Sequence, residues 1–99
     1  MTTPSSGNCS LPHDYYLYNF YDREDVLTIC AILMVTIPNL VRGIKYRSYQ
    51  LVGSELWRNS SPEDHKDFGI IIGHLVRLKY VPLVKVGRNS SNMALYSLL

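Results

Sequence analysis

Residues 61–78, Ser61-Pro62-Glu63-Asp64-His65-Lys66-Asp67-Phe68-Gly69-Ile70-Ile71-Ile72-Gly73-His74-Leu75-Val76-Arg77-Leu78, carry the clearest start signal in the chain. A Ser at the N-cap accepts a hydrogen bond from an otherwise unpaired amide. Pro at the first helical position gives up no hydrogen bond there, and acids in the first turn meet the positive end of the helix dipole. Asp64 stands in the capping-box position, three residues after the Ser. The spacing predicts a helix from residue 62 to about 78. Phe68, Ile71, Ile72, Leu75, Val76 and Leu78 fall within one arc of its wheel, and Lys66, Ile70, Gly73 and Arg77 lie opposite, where solvent or a ligand would be.

Downstream, two short alternating runs at 83–86 and 93–98 flank Gly87-Arg88-Asn89-Ser90-Ser91-Asn92. Gly and Asn accept the positive φ angles of a tight reversal, so these runs predict a β-hairpin with a basic, polar tip. Upstream, Ser48 caps an expected helix over 49–57 with Leu51, Val52, Leu56 and Trp57 inward, and 44–48 reads as a short strand or extended link. Arg58-Asn59-Ser60 is the turn between these two helices. Further back, Asp22 as N-cap and Asp25 three residues on predict a helix beginning at Arg23, interrupted by Pro38 and terminated near Gly43.

That first helix is apolar on nearly every side, from Val26 through Ile37. A helix with a solvated face would not be. A second subunit would cover the surplus, giving a homodimer with Val26, Ile29, Leu33 and Ile37 at its interface. Alternatively, the aromatic arm Tyr15-Tyr16-Leu17-Tyr18-Asn19-Phe20-Tyr21 wraps the remaining face. The run is too short to span a bilayer, which takes roughly 20 residues. No membrane partner is expected.

The chain has 99 residues, room for one core, and is 46% hydrophobic and 18% charged, which excludes disorder along its whole length. Residues 1–14 are rich in Ser, Thr, Pro and Gly and read as a flexible tail, leaving 15–99 as a single domain. Charge is uneven beneath a net +2. Residues 1–41 hold Arg23 against four acids, whereas residues 42–99 hold nine basic groups against Glu55, Glu63, Asp64 and Asp67. A basic half suits a polyanion, because Lys and Arg displace counterions from phosphates.

The order helix, short strand, helix, turn, helix, hairpin, carried by YRSYQLVGSELW, PEDHKDFGIIIGHLVRL and PLVKVGRNSSNMALYSL, resembles the winged helix-turn-helix superfamily over residues 44–99. The resemblance implies an α+β fold of three helices and a C-terminal β-hairpin wing. It also implies a small transcriptional regulator, with the third helix in the major groove of duplex DNA and the wing on the backbone. Transferred by position, His65, Lys66, Gly73, His74 and Arg77 would lie on or beside the groove-facing side, and Lys85, Arg88 and Asn89 on the wing. Glu63, Asp64 and Asp67 at the helix start, together with Ile70 in mid-face, favour a second class of partner. In that alternative the same fold is a protein-interaction module, for example a viral or phage inhibitor of a host factor. Small size and a lone domain suit such a source, which would place the protein in the host cytoplasm.

Catalysis is not expected. His13, His65 and His74 lack the i,i+4 spacing that puts two metal ligands on one helix face, and no phosphate loop, nucleophile motif or paired-carboxylate pattern occurs. The composition calls for no cofactor and no metal. Cys9 in the tail and Cys30 in an apolar run read as reduced thiols in a cytosolic setting, with Cys30 inert. Asn8, Asn59 and Asn89, each in an Asn-x-Ser sequence, read as turn residues because no signal-peptide pattern precedes them.

Overall fold

A computed structural model describes residues 11–99. The expected tail lies outside the described residues as far as residue 10. Of its remainder, Leu11 packs against the core. The architecture is α+β: α1 (Arg23–Thr36), α2 (Ser48–Val52), α3 (Ser54–Arg58) and α4 (Pro62–Arg77), followed by the antiparallel strands β1 (Leu83–Arg88) and β2 (Ala94–Leu98). The link before α2 adds one isolated antiparallel bridge, in which Tyr46 and Tyr96 exchange both backbone hydrogen bonds at 2.7 and 2.8 Å.

The start signal at Ser61 forms as its chemistry requires. Ser61 Oγ accepts from the Asp64 amide and Asp64 Oδ2 accepts from the Ser61 amide, both at 3.1 Å. Ile71, Ile72, Leu75 and Val76 are buried, and Lys66, Ile70 and Arg77 are exposed. Leu78 departs from the expected arc and is exposed, because the helix has ended and Leu78 is its C-cap. Lys79 follows in the left-handed region at φ 64°, and the Tyr80 amide reaches back to the Leu75 carbonyl at 2.9 Å. This is a Schellman closure built on a lysine where glycine is usual.

Other expectations are corrected at particular residues. The helix foreseen over 49–57 divides at Gly53, whose φ of +95° no helix accommodates, and α2 begins at Ser48 itself, so Ser48 is not the cap. The Arg47 amide instead donates to Gln50 Oε1 at 2.8 Å. Asp22 occupies the N-cap of α1 but makes no side-chain cap hydrogen bond. Gly87, foreseen in the turn, lies at the end of β1 with φ +128°, beside a bulge that sets Lys85 opposite Tyr96 and Gly87 opposite Leu95.

The residues assigned to a homodimer interface on α1 lie in or against the core of the single chain. Val26, Ile29 and Leu33 are 0–2 % exposed within the single chain, and Ile37 is half-buried and packs on the same core. Tyr15 and Leu17 of the aromatic arm are buried beside them, the arm forming a 3-10 turn over Tyr16–Asn19. Leu51, Val52, Ile71, Ile72 and Leu75 belong to the same core. Each fully buried aliphatic of this kind stabilises the fold by about 1.5–3 kcal/mol, so these side chains are committed to the chain's own core.

Cys30, expected to be a reduced thiol, is disulfide-bonded. Chain spacing does not reveal which sulfurs meet in space. The bond removes the thiol argument for a reducing, cytosolic setting. Among the described residues no helix is long and apolar enough to cross a membrane.

Candidate functional site

The exposed side of α4 and the β-hairpin enclose an open groove of about 1160 Å³. Two features of the sequence create it. Gly69 and Gly73, four residues apart on one helix face, leave that face without a side chain at two successive turns, and the hairpin stands beside it. In β1 only Leu83 is buried, so the rest of that strand is available to the groove or to solvent.

Five basic side chains line this groove: Lys66 and Arg77 on α4, Lys79 at its closing turn, and Lys85 and Arg88 on β1. No Asp or Glu is among its lining residues, and none of the five is ion-paired with another described residue. Like charges held in one concavity focus a positive potential there. Arg88 is steadied by a 3.0 Å hydrogen bond from Nη1 to the Asn92 carbonyl at the hairpin tip.

The acids at the start of α4, which favoured a protein partner, are placed elsewhere. Asp64 and Asp67 lie on the far side of α4 with Phe68 and Ile71, where, joined by Asp25 and Tyr21 from α1 and its approach, they line a separate recess of about 260 Å³. Glu63 is exposed and lines neither. The direction of Asp64 and Asp67 was readable from the wheel, since Asp64, Asp67 and Ile71 share the i, i+3, i+7 face.

The groove gathers His65, Lys66, Gly73, His74, Arg77, Lys85 and Arg88, but two of these and Asn89 have other employment. His65 stacks on Trp57 with ring centroids 3.7 Å apart, and its Nε2–H donates to the Trp57 carbonyl at 2.8 Å. His74 stacks against Tyr16 of the arm at 5.7 Å and accepts at Nε2 from Arg77 Nη2 at 3.4 Å. Its Nδ1 is buried without a partner. Burial, and then the Arg77 charge, hold the His74 imidazole below its ordinary pKa.

Asn89 does not line the groove. Its Oδ1 accepts from the Ser91 and Met93 amides, both at 2.9 Å, and so holds the hairpin turn together. Asn92 reaches the groove in its place, at φ 64°.

Lys79, Gly69, Met93 and Tyr96 also line the groove, and sequence reasoning had not singled them out for it. The Gly69–Gly73 spacing was a legible signal. Lys79 carries none, because it enters the site only through its left-handed backbone. No protein family, curated protein or solved structure matches this chain.

Proposed function

We propose that this chain is a winged helix-turn-helix protein that binds duplex DNA, with α4 and the hairpin wing gripping the duplex between them. The observation that carries this reading is the groove itself: five Lys and Arg side chains from α4, its closing turn and β1, facing one concavity with no Asp or Glu among its lining residues. The Tyr46–Tyr96 bridge supports it further, since it adds the short first strand of a winged helix beside the hairpin. Lys66 and Arg77 on α4 are the candidates for base edges in the major groove, and Lys79, Lys85 and Arg88 for backbone phosphates.

Regulation of transcription is the role such binding suits. A protein partner is the second reading, favoured by Ile70 and Met93, apolar side chains of the groove that are 48 % and 39 % exposed. Fluorescence anisotropy of a labelled random-sequence duplex separates the two. The DNA reading expects binding at low salt that weakens as salt rises, and absence of binding at low salt transfers the groove to a protein partner.

A further inference from the structure

Gly69 and Gly73 open a notch in the wall of the groove, and the floor of that notch is polar. A Cβ built on Gly73 would meet the Tyr96 hydroxyl at 3.6 Å, which places that hydroxyl beside the bare helix face rather than in the core. Tyr96 itself is 3 % exposed and lines the groove. Its hydroxyl has no hydrogen bond to any other described residue. The ring is buried while the hydroxyl reaches the groove, so its donor is open to a ligand there.

Cations flank the notch on the wing side. Lys85 stands directly opposite Tyr96 in the β-ladder, so the two side chains leave the hairpin on the same face. Arg88 lies near enough for its charge to act on the Tyr96 phenol. A neutral O–H donor with two cations beside it, reached through a gap one methyl group would narrow, matches one non-bridging oxygen of a phosphodiester.

We propose that the Gly69–Gly73 notch seats one backbone phosphate of the bound duplex, with the Tyr96 hydroxyl donating to a phosphate oxygen and Lys85 and Arg88 balancing its charge. The proposal rests on the DNA-binding reading of the groove and adds to it a single close-approach point that fixes register. It requires a helix-interior glycine to be retained for the ligand, against the conformational preference of the helix.

Gly73→Ala and Tyr96→Phe test this, because neither change disturbs the fold by contact. An alanine methyl at 3.6 Å from the hydroxyl is in ordinary van der Waals range, and the hydroxyl holds nothing in place that Phe would lose. Gly73→Ala should raise the melting temperature by about 4–8 °C while weakening binding of a random duplex roughly tenfold or more. Tyr96→Phe should weaken binding about tenfold with an unchanged salt slope, since a neutral donor releases no counterion.

Wild-type affinity in both variants overturns the proposal, as does a Gly73→Ala protein that loses affinity together with thermal stability. Titrating wild type with inorganic phosphate, followed by the Tyr96 ring resonances, separates this idea from the reading it rests on. A saturating shift that Gly73→Ala abolishes keeps the notch as a phosphate seat even if no duplex binds. No shift, in a protein that also fails to bind duplex, removes both.

Discussion

The imidazole of His65 lies flat on the indole of Trp57, the ring planes 5° apart and the centroids separated by 3.7 Å. With its Nε2–H on the Trp57 carbonyl, this histidine fastens the first turn of α4 to α3 across the Arg58-Asn59-Ser60 turn. His65→Ala should therefore destabilise the fold by about 1–2 kcal/mol, measured as a shift in urea midpoint, and leave the salt slope of DNA binding unchanged. Lost affinity at full stability would instead put His65 on the ligand.

What was legible in the sequence is the chemistry that acts within one turn of helix or one hairpin. Ser61 and Asp64 cap each other through side chains three residues apart, and the Asn and Gly residues near the hairpin announce a reversal. What was not legible depends on contacts far apart in sequence. The ring of apolar residues on α1 looked excessive for one chain, yet Tyr15 and Leu17 from the arm and Leu51, Ile72 and Leu75 from two other helices share its core. Gly53 carried no mark distinguishing a positive-φ break from a tolerated helix glycine. Seven of the eight residues assigned to DNA line one groove, but chain order could not show that His65 and His74 are held by Trp57 and Tyr16.

Leu33 separates a core role from an interface role. Because it is fully buried within one chain, Leu33→Ala should cost about 2–5 kcal/mol of stability, read from chemical denaturation, with a midpoint independent of protein concentration. A midpoint that rises with concentration would restore a subunit interface on α1.

His74 confers a pH dependence whose sign follows from its neutral folded form. Burial and Arg77 lower its folded pKa below the ordinary 6.5, so the unfolded chain binds the proton more readily and stability falls as pH drops from about 7 through that folded value. His74→Gln should flatten the difference in melting temperature between about pH 7.5 and 5.5, where His74 contributes. An equal pH dependence in the variant would show that His74 is not its source.

The groove of Lys66, Arg77, Lys79, Lys85 and Arg88 is tested most directly by the slope of log affinity against log salt for a random duplex, taken between about 50 and 200 mM. Each phosphate neutralised contributes about −0.9, so three to five contacts predict a slope of about −3 to −4.5, and Arg88→Ala should lower its magnitude by about one. A slope near zero, or no binding at the lowest salt, would contradict DNA binding by this groove.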